Sequence, residues 1–319
     1  MKEVFVGVDL GGTNIRVKCS DIDGNTIASE YTATVSCQYG DLLEENLVGI
    51  IEKAISGVDG AVYTVKAIGM GIPGIYFNGD ILMSPNIQNL NAQYLIDHFK
   101  KQQIFFYILN DVKCAAMGEK WMGSAKGEEN FILVNIGTGI SVAMVIDGHV
   151  YLGKNSASGE IAYWISEVGS MTGFADGRVP LEEKFSGRWL TENVVNKLRQ
   201  DHPEGWSDEK INKMTTKDIF KECYNGNVVI KDIVDDSIRY LATALANICI
   251  LVNPGLVVFT GGITADLDYF LDYLKLYLSK TVPFPPEISK SSLLGEAGIL
   301  GAIAMAIERT EKQGILFNQ

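Results

Sequence analysis

Six consecutive residues near the start of the chain, Asp9-Leu10-Gly11-Gly12-Thr13-Asn14, set a carboxylate beside two glycines, a hydroxyl and an amide. Glycine lets the backbone approach an anion closely, and successive N–H groups in such a turn form a concave anion site. An ordinary glycine hairpin would carry the same residues. A second copy, Gly137-Thr138-Gly139, favours the anion site, because two opposed glycine hairpins can hold a polyphosphate from both sides. A third glycine turn, Gly261-Gly262 after Thr260, could admit the flat face of an adenine or ribose, or be a turn and nothing more. Asn110-Asp111 follows the apolar run 104–109, so both side chains emerge at the C-terminal end of a strand, where open α/β sheets put their ligands. A carboxylate there can orient and deprotonate a hydroxyl. The alternative is a helix N-cap for residues 112–120, which Asn or Asp serves well. Glu160 follows the small, polar loop 153–159 and has no apolar periodicity to explain it; it is either a ligand or a solvated loop glutamate.

The elements that must position these residues are written in the hydrophobic pattern. Residues 4–8 are a β-rich run that meets Gly11-Gly12, and Ile15, Val17 and Cys19 then alternate with Arg16, Lys18 and Ser20. A third strand is expected after Asp23-Gly24-Asn25, the chemistry of a tight hairpin turn. Residues 131–148 repeat this order of events: Thr138 falls on Thr13, Ile140 on Ile15, Val142 on Val17, and Asp147-Gly148 supplies the turn. A duplicated strand-turn-strand unit argues for two related α/β halves. Between the copies the pattern predicts a helix over 42–55, a buried strand over 67–70 and a helix over 92–101. After them it predicts a long helix over 181–198, a polar excursion over 200–216 containing His202 and Trp206, and a core helix over 229–252. Asn253-Pro254-Gly255 ends that helix, a strand follows over 256–260, and an Ala/Ile/Leu-rich helix over 297–307 is expected to pack back across the domain boundary.

A length of 319 residues suits about two domains. Hydrophobic residues at 47% and charged residues at 21% exclude a disordered chain. The net charge of −12, with no run of Lys or Arg longer than a pair, argues against nucleic acid or an anionic membrane as partner and leaves small molecules. Five scattered cysteines, Cys19, Cys37, Cys114, Cys223 and Cys249, form no metal-ligand spacing and read as small core residues in a reducing compartment. The apolar stretch 241–259 is broken by Asn253-Pro254-Gly255, and the N-terminus carries no signal-peptide pattern, so a cytoplasmic protein is expected.

In their order along the chain these motifs resemble the ROK sugar kinases, within the two-domain actin-like ATPase (ribonuclease H-like) α/β fold shared with hexokinases and heat-shock ATPases. Asp9-Leu10-Gly11-Gly12-Thr13 looks like the first phosphate motif, Gly71-Ile72-Pro73-Gly74 like the sugar-domain turn and Pro85-Asn86-Ile87 like the sugar loop. Asn110-Asp111-Val112 is similar to the catalytic motif, Ile136-Gly137-Thr138-Gly139-Ile140 to the second phosphate motif and Gly159-Glu160-Ile161 to the sugar-binding motif. Leu181-Glu182, Asn253-Pro254-Gly255 with Gly261-Gly262-Ile263, and Ala297-Gly298-Ile299-Leu300-Gly301-Ala302 complete the set.

The resemblance implies phosphoryl transfer from Mg-ATP to a sugar hydroxyl, with Asp111 as base and Asp9 holding Mg²⁺ through water. It implies phosphate and nucleotide contacts from Gly11, Gly12, Thr13, Asn14, Gly137, Thr138, Gly139, Gly261 and Gly262, and sugar contacts from Asn86, Asn110, Glu160 and Glu182. It further implies an N-terminal domain of residues 1–109 plus 299–319, a larger domain of 110–298, an active site in the cleft between them, and a homodimer. The chain departs from the family at its structural zinc. Tyr163 stands where many members have histidine, and Gly173, Ala175 and Pro180 stand where they have cysteines, so no zinc is expected. Tyr163 either takes over the histidine's sugar contact through its phenol or packs with Trp164. The expected activity is an ATP-dependent hexose kinase acting on the 6-hydroxyl of glucose, with allose, fructose, mannose and N-acetylmannosamine as alternative substrates. The family's repressors carry an N-terminal helix-turn-helix, for which Asp9 leaves no room. A sugar sensor without turnover is the reading of another class, motivated by the lost histidine and cysteines.

Overall fold

The computed structural model describes residues 1–34, 42–84, 87, 90–201, 206–266 and 268–317, with side chains at 42 and beyond 312 excepted. Asn86 of the sugar loop, Cys37 and His202 lie outside the described residues.

Strand β1 (Lys2–Leu10) pairs antiparallel with β2 (Asn14–Ser20), which pairs antiparallel with β3 (Thr26–Ala33). On its other side β1 runs parallel to β4 (Tyr63–Ile72), and β4 to β7 (Phe105–Asn110), giving the order β3-β2-β1-β4-β7. A short ribbon, β5 (Ile75–Phe77) with β6 (Asp80–Leu82), follows β4. The period-2 alternation of β1 divides its side chains between two helical layers. Val4, Val6 and Val8 pack with Leu47 and Ile51 of α1 (Leu42–Ser56) and with Leu95 and Phe99 of α2 (Ala92–Lys100). Phe5 faces the other way, against Ile299 and Ile303 of α9 (Ala297–Phe317). Gly7 and Gly69 are register partners on β1 and β4 beneath α9; a methyl at Gly69 would lie 2.8 Å from the carbonyl carbon of Ala302. Helix α3 (Asp111–Met122) meets α9 as closely, where a methyl at Gly301 would lie 2.9 Å from the amide nitrogen of Gly118.

The second sheet repeats this order, with β8 (Phe131–Ile136), β9 (Ile140–Ile146), β10 (His149–Val150), β11 (Leu256–Thr260) and β12 (Glu287–Lys290) arranged as β10-β9-β8-β11-β12. The expected duplication is thus present in both sheets: antiparallel hairpin strands on one side, parallel neighbours on the other. Asp147 and Gly148 take left-handed conformations, as the tight turn between β9 and β10 demands. The helices of this half are α4 (Gly187–Asp201), α5 (Asp208–Asn212), α6 (Thr216–Tyr224), α7 (Val228–Val252) and α8 (Asp268–Thr281). Helix α7 buries Ile230, Val234, Ile238, Leu241, Leu245 and Ile248 and ends at Asn253, whose φ of 51° is the left-handed cap that Asn supplies ahead of Pro254.

Two expectations about segments are corrected. The helix expected from residue 181 starts at Gly187: the Gly187 and Arg188 N–H groups turn to the carbonyls of Gly137 and Thr138, at 2.9 and 3.3 Å, instead of extending a helix from Leu181. The polar excursion is part helix, in which Lys210 Nζ lies 3.8 Å over the Trp206 ring.

The chain divides into two compact units, one of Met1–Glu129, Ala143–Ser158 and Ser292–Gln319, the other of Asn130–Val142 and Gly159–Ser291. This differs from the expected boundary after residue 109, because α3 packs on α9, β4 and β7 and so stays with the first sheet. These three partners lie in the first unit, where α9 also covers β1 and β4. No described helix is long and apolar enough to cross a membrane.

Candidate active site

In the first unit, the turn from β1 to β2 is closed by the Gly11 N–H to the Asn14 carbonyl, at 2.9 Å. From outside, Thr34 grips it, its N–H donating to Thr13 O and its hydroxyl to Gly11 O, both at 2.7 Å. Gly12 and Thr13 are exposed at the tip, available to an anion. Asp9 faces Arg16 across the hairpin, and Arg16 donates to Asp9 Oδ2 through Nε at 3.1 Å and Nη2 at 2.5 Å. Among the described residues nothing donates to Asp9 Oδ1. It lies beside the first turn of α9, where a methyl at Gly298 would be 3.5 Å away. Arg16 was not among the residues singled out from sequence; the two-glycine turn sets the register that pairs it with Asp9, and that register was the available signal.

At the junction of β7 and α3 the N-cap reading of Asn110-Asp111 is the one the structure displays. Asn110 is the N-cap: its Oδ1 accepts from the Val112 and Lys113 N–H groups, each at 3.1 Å, while its amide donates to Gly74 O at 3.0 Å and Asp111 Oδ1 at 3.1 Å. Two acceptances and two donations use the whole hydrogen-bonding capacity of a carboxamide. Asp111 Oδ1 also accepts from Val112 N–H at 2.8 Å, so the carboxylate is fixed at the positive end of the α3 dipole. The glycine of the Gly71-Ile72-Pro73-Gly74 turn keeps β4 close to this point: a methyl at Gly71 would lie 3.4 Å from Cys114 Sγ and 3.5 Å from Asp111 Cα. Burial pushes the Cys114 thiol pKa up, and the carboxylates of Asp111 and then Asp9 push it further, so both acids bear on the same buried sulfur.

In the second unit, the carbonyl of Ala162 accepts from both Leu181 N–H (3.1 Å) and Glu182 N–H (3.4 Å), which brings Glu182 to the turn holding Glu160 and Tyr163. Burial raises the Tyr163 phenol above its ordinary value, and the charges of Glu160 and Glu182 add to the rise. Glu182 is itself raised, mainly by burial, although Ile140 N–H donates to its Oε2 at 3.1 Å. That bond ties the acid to the Gly137-Thr138-Gly139 hairpin, which is closed by Gly137 N–H to Gly139 O at 3.0 Å. Gly261, with φ of 96°, stands beside the same hairpin: a methyl there would be 2.8 Å from Asn135 Oδ1. Gly262 opens the short helical turn Gly262–Asp266.

The segment from Tyr163 to Glu183 is held by side-chain contacts. The Tyr163 and Phe174 rings meet edge to face with centroids 5.4 Å apart, Asp176 accepts from Gly173 N–H at 3.0 Å, and Arg178 forks onto Glu183 with Nε–Oε1 at 2.7 Å. No group of three or more His, Cys, Asp or Glu side chains able to hold a metal is present among the described residues. Mg²⁺ seldom uses such a cage; it keeps several waters and takes one or two carboxylates together with substrate phosphates. The half-open Asp9 carboxylate beside an exposed glycine turn suits that mode, since its Oδ1 can accept from a metal-bound water.

The chain is 26% identical to a glucokinase of Halalkalibacterium halodurans, with 93% of each covered. It is 24% identical to a xylose repressor of Caldicellulosiruptor bescii, matching 95% of this chain and 78% of the repressor. The crystal structure of the ROK hexokinase from Thermus thermophilus superposes with a TM-score of 0.80 at 24% identity, over 97% of this chain and 99% of the hexokinase, and gives the fold as the actin-like ATPase fold. The model of the ROK family matches residues 5–309, and the chain belongs to that family.

Proposed function

We propose that this sugar kinase transfers the γ-phosphoryl group of Mg-ATP to a hexose hydroxyl, the 6-hydroxyl of glucose or a close relative. The observation that carries the proposal is the Asn110–Asp111 junction, where a carboxylate is held by a neighbouring amide and a helix N-terminus, in one unit with a glycine turn and a half-open aspartate. Phosphoryl transfer needs little covalent chemistry from the protein and is driven by positioning and electrostatics. Asp111 orients the attacking hydroxyl and accepts its proton as the bond to phosphorus forms. The amides of Gly11, Gly12, Thr13 and Asn14 and of Gly137, Thr138 and Gly139 donate to phosphate oxygens, and Gly261 and Gly262 leave room for the nucleoside. Mg²⁺, when bound, neutralises charge on the phosphates, and Asp9 holds it through water. Glu160, Glu182 and the Tyr163 phenol bind sugar hydroxyls, with Asn86 joining them by family resemblance. Asn110 takes a different part from that expected: its bonds are spent inside the protein, and it positions Asp111. Family resemblance supports a cytoplasmic homodimer.

A coupled ADP-release assay over glucose, allose, fructose, mannose and N-acetylmannosamine tests the proposal. One sugar should stimulate turnover over the rate without sugar. If none does, while some sugar raises the melting temperature, the protein is a sugar sensor, the function suggested by its likeness to a xylose repressor.

A further inference from the structure

Arg16 is the most heavily committed cation near the candidate site. It sits opposite Asp9 in the β1–β2 register and places both Nε and Nη2 on the same oxygen, Oδ2. Its Nη2 also donates to Gly295 O at 2.8 Å, and its Nη1 lies 3.6 Å from Glu296 Oε1. Lys18, two residues along β2, pairs with the other oxygen of Glu296. Two cations and two carboxylates therefore form one network, with zero net formal charge, at the entry to α9. The Arg16 side chain is 35% exposed and that of Asp9 20%. The consequence for Asp9 is an asymmetry: Oδ2 is taken by a guanidinium, and Oδ1 has no donor among the described residues.

A carboxylate oxygen shared with a guanidinium is a poor inner-sphere ligand for Mg²⁺, because the metal would have to displace a charge-assisted fork and sit against a fixed positive charge. The remaining oxygen can still accept a hydrogen bond from a metal-bound water. We propose that Arg16 is a positioning residue that holds Asp9 by Oδ2, leaves Oδ1 to the metal's hydration shell, and prevents the site from loading a divalent cation before nucleotide arrives. The phosphates then supply the negative charge that the network lacks, and the cation enters as its nucleotide complex. This rests on the assignment of Asp9 to the nucleotide-bound metal made above.

The test is Mn²⁺ binding, followed by electron paramagnetic resonance, to the full chain with and without ADP. Wild type, Arg16→Met, Arg16→Lys, Asp9→Asn and the Asp9→Asn/Arg16→Met double variant are compared. Without nucleotide, Arg16→Met should bind Mn²⁺ about tenfold or more tightly than wild type, as removal of a unit charge a few ångströms from a divalent ion implies. Arg16→Lys should stay near wild type, and the gain should vanish in the double variant. A gain that persists without Asp9, or an Arg16→Met protein with unchanged or weaker Mn²⁺ binding, overturns the proposal. Glu296→Gln keeps Arg16 on Asp9 while loosening the same network, so an equal gain there would also overturn it and would show general loosening at α9. If Asp9→Asn leaves Mn²⁺ binding in the presence of ADP unchanged, the metal role of Asp9 itself has failed, which the nucleotide-free titrations of Arg16 variants do not report.

Discussion

Gly139→Ala should disable the enzyme without unfolding it. A methyl at this position would lie 3.1 Å from Cδ of Glu182 and nearer still to Oε2. Carbon atoms in contact rest roughly 3.5–4.0 Å apart, so the carboxylate must retreat by roughly 0.5–1 Å. The obstacle is the far end of a flexible side chain, so the strand can stay where it is. The retreat lengthens the 3.1 Å bond from Ile140 N–H to Glu182 Oε2. One such bond is worth about 1 kcal/mol net, which for a folding unit the size of the second, roughly 150 residues, is a fall in Tm of roughly 2–4 °C. The functional loss should be far larger, since a misplacement near 1 Å at a positioning group can cost about 100-fold in kcat/KM. Steady-state kinetics with the stimulating sugar, beside thermal melts, reads both quantities. Glu182→Asp in the Gly139→Ala background shortens the acid and should recover part of the loss. Wild-type kcat/KM in Gly139→Ala would refute the link between the hairpin and Glu182. So would a fall in Tm beyond roughly 8 °C, which would mean that the backbone, rather than the glutamate, had given way.

Three other outcomes follow from the packing and charge of the two units. Gly301→Ala drives a methyl against the Gly118 amide nitrogen on α3, so urea unfolding should show a loss of about 3 kcal/mol with unchanged m; an unchanged midpoint would mean that α3 and α9 separate freely. Because Glu182 binds its proton more tightly folded than unfolded, wild-type stability should fall as pH rises from 4.5 through its raised pKa. Glu182→Gln should flatten that limb and melt no lower than wild type at pH 7, while losing sugar turnover; a steeper limb in the variant would contradict the burial argument. A chelator such as EDTA should leave the Tm of the nucleotide-free protein unchanged, because packing and the Arg178–Glu183 pair hold the segment where the family resemblance would place structural zinc. Chelator-induced melting, or one zinc per chain by elemental analysis, would overturn that.

Much of the scaffold was readable from sequence for physical reasons. Buried parallel strands such as Phe131–Ile136 and Leu256–Thr260 must be continuously apolar, and the two glycine turns recur at matching places in a duplicated unit. Asn110 and Asp111 were legible because a strand that stops at a capping residue announces where its side chains emerge. What stayed hidden depends on partners distant in sequence. Leu181 and Phe185 carry helical spacing, yet the N–H groups that would extend a helix are claimed by Gly137 and Thr138. Glu308, Arg309, Glu311 and Lys312 gave the end of α9 no apolar pattern, although the helix continues to Phe317. The domain boundary was misplaced because the packing of α3 on α9 joins residues some 180 positions apart, a pairing that no local pattern encodes. Arg16 escaped notice for a similar reason, being one polar residue of an alternating strand until the hairpin register sets it against Asp9.

The most direct test of the central claim is whether Asp111 is needed for phosphoryl transfer but not for binding. Wild type and Asp111→Asn are mixed with the stimulating sugar and ATP in a single-turnover experiment, sugar phosphate is counted by ³¹P NMR, and sugar affinity is measured separately by calorimetry. The account predicts sugar phosphate from wild type, a loss of at least about 1,000-fold in its rate of formation with Asp111→Asn, and sugar affinity within about threefold of wild type. Sugar phosphate formed by Asp111→Asn at a rate near that of wild type would contradict it.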